Sequence, residues 1–278
     1  MTKRLIIACV VAAAFLAAPA QGTIGSIISS FDIPSIGYED GIFAEYLYVY
    51  LVGYLTYGNY ISTYTHSGSL LRSRSIDPGN RYTLISGSRT HLGPGYMALI
   101  DQNIDYLKIF SIANGGAPVA SFALRSASPY NCFWDGDYYY INQADDRGRF
   151  LCYSRSGAYS GAWTCAGWPA NMTYCYGAEY AQRGNKGSGP YFVAGSGSPS
   201  RPYCMTTYPG GSLVATWYLP SPYLLHLSYG DSSNPVVYGA AIWATTDSPY
   251  NVYEIDIDAS NASTVVPASI GKVKAIYR

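Results

Sequence analysis

The stretch Gly25-Ser-Ile-Ile-Ser-Ser-Phe31-Asp-Ile33-Pro34 decides the fold, because nearly the same sequence motif, called the phrase below, occurs four more times. In every copy a bulky residue stands six positions after the glycine, and an apolar residue or cysteine stands eight positions after it. The other copies are Gly68-Ser-Leu-Leu-Arg-Ser-Arg74-Ser-Ile76-Asp-Pro78, Gly116-Ala-Pro-Val-Ala-Ser-Phe122-Ala-Leu124, Gly157-Ala-Tyr-Ser-Gly-Ala-Trp163-Thr-Cys165 and Gly211-Ser-Leu-Val-Ala-Thr-Trp217-Tyr-Leu219-Pro220. Successive phrase glycines are 43, 48, 41 and 54 residues apart. A period of this size in a strand-rich sequence predicts the blades of a β-propeller.

Each phrase alternates apolar with small residues and stops at a turn residue, which is typical of a strand. Three more strands precede it, most clearly Asn131-Cys-Phe-Trp134, Tyr138-Tyr-Tyr-Ile141 and Arg149-Phe-Leu-Cys-Tyr153 before Gly157. Short, glycine-rich links join these strands as hairpins. Four antiparallel strands per repeat make one propeller blade.

The two ends of the repeat pattern complement each other. The first phrase has no strands before it, and the last strands, at 225–229, 241–244 and 252–255, have no phrase after them. We expect residues 25–33 to supply the outer strand of the last blade, because a closed ring leaves no long sheet edge exposed. The sequence therefore predicts an all-β fold, a single β-propeller of four-stranded antiparallel blades. Five blades are predicted, and six is the alternative if the 54-residue interval hides a degenerate unit.

The chain ends are predicted to lie outside the propeller at 21–262. Residues 1–20 combine Lys3 and Arg4, an apolar run and Ala18-Pro19-Ala20, which is the pattern of a cleaved signal peptide and of an exported protein. A retained N-terminal anchor is the alternative, and no later segment is long and apolar enough to span a membrane. The tail, 263–278, is either a sorting or assembly signal or an edge strand whose lysines discourage pairing.

The composition argues against nucleic acid and anionic membrane as partners. Lys and Arg number 17, as do Asp and Glu, and only 12% of residues are charged, about half the usual share. The chain instead contains 30 tyrosines. Tyrosine offers a flat apolar face and a hydroxyl, which suits stacking on sugars, on a protein partner or on further copies of the chain.

One disulfide is predicted, between Cys152 and Cys165, because their midpoint coincides with the midpoint of the turn 156–161. In an antiparallel hairpin the two residues would then face each other at bridging distance. Cys132 and Cys175 form a second candidate pair, which leaves Cys204 alone. No Cys and His spacing indicates a metal site.

Three features of the chain resemble those of secreted bacterial propeller repeat proteins. They are the repeated phrases, the "YLYV"-type strand and the hairpin Phe133-Trp-Asp-Gly-Asp-Tyr-Tyr-Tyr140. These are part of the wider set of NHL-like and quinoprotein-like propellers. The resemblance covers most of the chain and concerns structural positions. It implies a propeller that binds ligands or partners, and it carries over no catalytic residue.

Five tyrosines are candidate ligand-binding residues, because each stands shortly after the outer strand and before an innermost strand. They are Tyr38, Tyr82, Tyr130, Tyr174 and Tyr223. If the blades close, these side chains form a ring around one mouth of the central channel. The alternative is that each tyrosine is a structural wedge between blades.

Two sets of acids have a functional and a structural interpretation. Asp135, Glu179 and Asp231 fall near the turn after an innermost strand, where they serve as turn residues or as the carboxylate pair of a glycoside hydrolase. Glu254, Asp256 and Asp258 share one strand face, which is either solvated or a weak candidate calcium site. No other cofactor is predicted.

We therefore expect a secreted, non-catalytic propeller, extracellular or at the cell surface with the periplasm as an alternative, that binds an extracellular carbohydrate or protein through a Tyr-rich face. Two alternatives remain open. One is a structural subunit of an extracellular filament, sheath or surface layer, and the other is a glycoside hydrolase or polysaccharide lyase.

Overall fold

The computed structural model describes residues 24–257, apart from 34–37, 46, 56–57, 79–83, 126–127, 144–146, 171, 173–174, 183–189, 196–202, 218–222, 232–239 and 248–250. The predicted signal segment and tail lie outside the described residues. In the described segments there is no helix with the length and hydropathy of a membrane span.

Twenty strands are described, and all of them belong to five four-stranded antiparallel sheets, numbered here as blades in chain order. Blade 1 contains β2 (Tyr38–Glu45), β3 (Tyr48–Leu55), β4 (Gly58–Thr65) and β5 (Leu70–Ile76), and blade 2 contains β6 (Leu84–Ser88), β7 (Tyr96–Asp101), β8 (Tyr106–Ser111) and β9 (Ala120–Ala123). Blade 3 contains β10 (Asn131–Trp134), β11 (Tyr139–Asn142), β12 (Arg149–Tyr153) and β13 (Tyr159–Thr164), and blade 4 contains β14 (Gly177–Ala181), β15 (Tyr191–Gly195), β16 (Tyr203–Thr207) and β17 (Leu213–Trp217). Blade 5 contains β18 (Tyr223–Asp231), β19 (Ala240–Asp247), β20 (Asn251–Asp256) and, at its outer edge, β1 (Ile27–Asp32).

The N-terminal strand closes the ring, as the sequence predicts. β1 pairs antiparallel with β20, with Phe31 opposite Val252. At the other end of the pair, the Gly25 amide donates to the carbonyl of Asp256 at 2.8 Å. The innermost strands, β2, β6, β10, β14 and β18, contact one another in a closed circle. The prediction of five blades rather than six is therefore confirmed.

The blades are buried on both faces, which explains why their middle strands are apolar at successive positions. In β3, Val49 and Leu51 pack toward blade 5, whereas Tyr50 and Val52 pack toward blade 2. Successive side chains of a strand point to opposite faces, so a strand between two neighbouring blades needs apolar residues on both. The core consists of five wedges of side chains, one between each pair of neighbouring blades.

The two fixed positions of the repeated phrase meet each other across blade boundaries. A Cβ atom added at Gly68 would lie 2.6 Å from the side chain of Phe31 in the preceding blade. The same contact recurs between Gly25 and Trp217 and between Gly157 and Phe122, whereas Gly211 meets Ala166 and Gly116 has no atom within 4 Å. All five phrase glycines have a positive φ, between 74° and 85°, which glycine adopts without strain. All five glycines thus suit the turn, and three of them also contact the bulky residue of the preceding blade.

The innermost strands approach one another so closely that part of the ring centre is packed backbone to backbone. A Cβ atom at Gly41 of β2 would lie 2.0 Å from the carbonyl oxygen of Ser86 in β6. Serine hydroxyls bridge other neighbours, because Ser228 accepts from the Ala44 amide at 2.9 Å and Ser86 accepts from the Cys132 amide at 3.2 Å. Side chains of several blades therefore face a common space at the ends of these strands.

A buried ion triad joins blades 1 and 2. Lys108 Nζ lies 2.5 Å from a carboxylate oxygen of Asp77 and 2.7 Å from one of Asp101, and the three side chains are between 1% and 9% exposed. Burial by itself lowers the pKa of Lys108, but the hydrogen bonds with Asp101 and Asp77 outweigh it and raise the pKa overall. The lysine therefore stays charged between its two partners.

The predicted disulfide is not formed, because Cys152 and Cys165 are both free thiols. Cys152 faces Gly161 across the hairpin of β12 and β13. The prediction centred the turn between residues 158 and 159, whereas the turn closes around Gly157, whose amide donates to the Ser154 carbonyl at 2.9 Å. The partner of Cys152 is thereby displaced by four positions. The remaining described cysteines are also buried free thiols: Cys132, Cys175 and Cys204.

Candidate functional site

Side chains of several blades converge at the two ends of the ring centre. We call the end where the innermost strands begin the entry mouth, and the end where they finish the exit mouth. By chain position, the five predicted tyrosines belong to the entry mouth, and the acids Asp135, Glu179 and Asp231 belong to the exit mouth.

At the entry mouth, Tyr130 packs across the ring centre. It precedes β10, and its ring stacks on His226 of blade 5 with centroids 5.5 Å apart and an interplanar angle of 27°. Tyr176 of blade 4 meets Tyr130 edge-on at 5.2 Å. Burial lowers the pKa of His226 to about 3, so the imidazole is neutral and packs as a largely apolar ring. The three rings join blades 3, 4 and 5 and cover this part of the mouth.

Tyr130 is the only one of the five predicted tyrosines whose side chain is described. Tyr38 and Tyr223 begin the innermost strands β2 and β18, whereas Tyr82 and Tyr174 lie outside the described residues. The packing of Tyr130 on His226 agrees with the wedge alternative for that residue. The complete tyrosine ring stays a prediction.

The exit mouth holds an open cleft of about 660 Å³, a volume within the usual range of small-molecule sites. Four blades contribute its main polar and aromatic side chains: Glu45, Tyr48, Arg89, Trp134, Asp135 and Tyr180. The chain places them there because most of them stand at the end of an innermost strand. Glu45 ends β2, Arg89 follows β6, Trp134 ends β10 and Tyr180 is next to last in β14.

Aromatic rings form the floor and the walls of this cleft. Tyr48 and Tyr180 are partly exposed, so each ring offers surface to a ligand. Tyr50 and Trp134 are only 6% and 7% exposed and form the floor. Tyr50 stacks with Phe43 at 5.9 Å, and burial raises its pKa to about 12. The Tyr50 hydroxyl is therefore neutral at physiological pH.

Arg89 supplies the positive charge of the cleft and is fixed in place by Tyr229. Its Cζ lies 4.5 Å from the centroid of the Tyr229 ring, and its Nη2 donates to the Tyr229 carbonyl oxygen at 3.1 Å. Tyr229 belongs to blade 5, so Arg89 reaches from blade 2 across the ring centre. Among the described residues, no carboxylate lies within ion-pair distance of the Arg89 guanidinium.

Glu179 of β14 is fully buried beside the cleft. Its Oε1 accepts from the Tyr180 amide at 2.9 Å, and Oε2 has no hydrogen-bond partner among the described residues. Burial raises the pKa of Glu179 to about 8, although the backbone hydrogen bonds of Tyr180 and Tyr229 and the charge of Arg89 lower it in part. The carboxyl is therefore mostly protonated at neutral pH and does not serve as a carboxylate partner of Arg89.

Asp135 serves the local turn and a neighbouring blade. Its Oδ1 accepts from the amides of Asp137 and Tyr138 at 2.8 and 2.9 Å, which is the turn role expected from the Asp-Gly pair. Its Oδ2 accepts from the Tyr208 hydroxyl of blade 4 at 2.7 Å. Asp135 therefore lines the cleft while it is held by the turn and by blade 4, whereas Glu179 is buried. The side chain of Asp231, the last residue of β18, is not described.

The predicted solvated face of the last strand is wrong, because Glu254 and Asp256 are both fully buried. Glu254 Oε2 accepts from the Ser29 hydroxyl at 2.5 Å. Blade 1 packs against blade 5 in this region, since the tilted rings of His66 and Trp243 have centroids 4.7 Å apart. Asp258, the third residue of the calcium candidate, lies outside the described residues. Within the described residues, no group of three or more His, Cys, Asp or Glu is arranged to hold a metal ion.

The sequence interpretation identified Asp135 and Glu179 but overlooked Arg89, Tyr48 and Tyr180. The sequence contained a signal for the three overlooked residues, because each stands near the end of an innermost strand or at the start of the next strand. Aligning the repeats on their innermost strands would have placed Arg89 at the same mouth as the acids.

Comparison with solved structures shows a related architecture. A glutaminyl cyclase from Myxococcus xanthus superposes with a TM-score of 0.59 at 10% identity, over 84% of this chain and 96% of that chain. The β-propeller domain of Cps50 (Swd1) from Myceliophteria thermophila gives a TM-score of 0.43 at 10% identity, over 78% of this chain and 65% of that chain. No protein-family model and no curated protein matches the sequence. The first likeness shows the β-propeller fold and does not extend to activity.

Proposed function

We propose that this protein is a secreted, non-catalytic propeller that binds carbohydrate in the exit-mouth cleft. One observation carries the proposal: the partly exposed rings of Tyr48 and Tyr180 line one cleft of about 660 Å³ together with hydrogen-bonding side chains. Aromatic faces stack on the apolar faces of sugar rings, and the polar groups of the walls suit the hydroxyls. Export is inferred from the N-terminal sequence.

A binding role fits the cleft better than hydrolysis. General acid and base catalysis needs two carboxyl groups that reach the substrate. Asp135 is occupied by the turn amides and Tyr208, and Glu179 is fully buried. The pair predicted from the sequence is therefore not presented to a ligand, whereas the aromatic and polar walls offer recognition chemistry.

Glycan-array binding followed by calorimetry tests this proposal. Tyr48→Ala and Tyr180→Ala are each expected to weaken glycan binding about five- to tenfold, the usual worth of one aromatic contact. Tyr159→Ala is the matched control, because Tyr159 lies on the outer strand β13 and is 38% exposed. Absence of binding to every glycan, or equal losses in all three variants, would overturn the proposal.

Assembly into filaments is a second candidate, and it is favoured by the outer strands. Leu70 and Leu71 of β5 are 44% and 52% exposed, and Leu213 of β17 is 51% exposed. Apolar side chains on outer strands provide surfaces for edge-to-edge association of copies. Electron microscopy of the purified protein separates the candidates, since ordered fibres support assembly and dispersed monomers do not.

A further inference from the structure

This inference rests on the proposed function and specifies its ligand. We infer that the saccharide bound in the exit-mouth cleft carries a carboxylate group, and that this group pairs with the guanidinium of Arg89. The ligand class is thus acidic sugar, with a uronate as its simplest form.

Arg89 is preorganised for such a contact. Its stacking on the Tyr229 ring at 4.5 Å and its hydrogen bond to the Tyr229 carbonyl at 3.1 Å fix the plane of the guanidinium. The remaining N–H groups have no hydrogen-bond partner in the described part of the chain. A planar guanidinium with free N–H pairs matches a carboxylate in bidentate geometry, and little side-chain freedom is left to lose on binding.

Two carboxylates, Glu45 and Asp135, line the same cleft, but neither forms an ion pair with Arg89. Glu45 is engaged by the Gly95 amide, at 3.1 and 3.4 Å from its two oxygens. Asp135 accepts from turn amides and from a tyrosine hydroxyl. Glu179 is fully buried and has no ion pair with Arg89. A half-buried cation without an ion-pair partner is unfavourable, so an anionic group of the ligand is stabilised where it contacts the Arg89 guanidinium.

The rest of the cleft selects a carboxylated sugar over a polyanion. Among the described lining residues, Arg89 is the only Lys or Arg, whereas phosphate and sulfate groups usually engage several cations or N–H donors. The rings of Tyr48 and Tyr180 require an apolar face on the same ligand. One negative charge beside a sugar ring satisfies both conditions.

The test compares acid and ester forms of the same glycans. Oligogalacturonate, oligoglucuronate and oligomannuronate are presented to the wild-type protein as free acids, as methyl esters and beside neutral oligosaccharides. The acids are expected to bind at least about tenfold tighter than the esters, since a hydrogen-bonded charge is involved. This comparison needs no variant, so it does not depend on the folding of a mutant.

Variants then assign the effect to Arg89. Arg89→Gln is expected to reduce binding of the acids to the level of the esters, and Arg89→Lys is expected to restore only part of it, because the bidentate geometry is lost. Equal binding of acids and esters, a preference for sulfated glycans, or an unchanged Arg89→Gln variant overturns this inference and leaves carbohydrate binding standing. Failure to bind any glycan overturns the proposed function, and this inference with it.

Discussion

Glu179→Gln should remove a large part of the pH dependence of folding. The pKa of Glu179 rises from its ordinary value of 4.5 to about 8 because the folded protein buries it. Below pH 4.5 the folded and unfolded states both hold the proton. Between pH 4.5 and 8 only the folded state keeps it, so stability falls as the pH rises, and the loss is complete once both states are ionised above pH 8. Glutamine has no proton to lose and shows none of this change.

The magnitude follows from the two pKa values. The separation of about 3.5 between 4.5 and 8, at ~1.4 kcal/mol for each pH unit, corresponds to ~5 kcal/mol of unfolding free energy in total. About 4 kcal/mol of it falls between pH 5 and pH 9. Two neighbouring groups do not titrate in this interval, because burial raises the pKa of Cys132 to about 12 and raises the pKa of Tyr180 as well.

Urea unfolding at pH 5, 7 and 9, followed by tryptophan fluorescence, measures this effect. The unfolding free energy of Glu179→Gln relative to the wild type is expected to rise by about 4 kcal/mol across the series. Asp137→Asn is the control, because the Asp137 side chain is 82% exposed and its removal should leave the pH dependence unchanged. If Glu179→Gln and the wild-type protein lose stability in parallel, Glu179 does not hold its proton in the folded ring and the reasoning is refuted.

Three further predictions concern packing, charge and cysteine state. Gly68→Ala should lower the unfolding free energy by about 2–3 kcal/mol and Gly93→Ala by about 1 kcal/mol. Both glycines have a φ of 84°, but only the first substitution places a Cβ atom against Phe31. Equal losses of stability in thermal unfolding would contradict the steric contact. Lys108→Met should lower the unfolding free energy by about 3–5 kcal/mol, because Asp77 and Asp101 stay buried without their cation. In urea unfolding, the triple variant with both acids changed to Asn should recover stability. A loss below about 1 kcal/mol in the single variant would show that solvent screens the triad. Thiol titration of the unfolded protein should detect at least the five free cysteines of the described chain, and a lower count would show that a disulfide forms.

Most of the fold could be predicted because the repeated positions are packing positions. At three of the five blade boundaries the phrase glycine contacts the bulky residue of the preceding phrase, as Gly157 contacts Phe122. Any blade that follows this rule must keep both residues, so the period appears in the sequence. The closure of the ring could be predicted as well, because the unpaired phrase at 25–33 and the unfinished last blade had only each other as partners.

The site was less accessible because it depends on how blades sit relative to one another. The register of one hairpin already differed from expectation, since the turn at Gly157 closes earlier than its composition indicated. Arg89 meets Tyr229 although 140 residues separate them in the chain, and no local pattern reports such a contact. Glu179 looks like a surface acid in the sequence, and only the surrounding strands make it a buried one.

Closure by the first strand also sets the order in which the molecule is completed. Ser29 and Glu254 are hydrogen-bonded partners 225 residues apart, and joining chain segments at that separation costs about 5 kcal/mol of loop entropy. During synthesis the opening strand therefore has no partner until almost the whole chain has emerged. A circular permutant that joined the ends near Gly25 and Asp256 and began between two blades would make every blade contiguous, and it could assemble blade by blade.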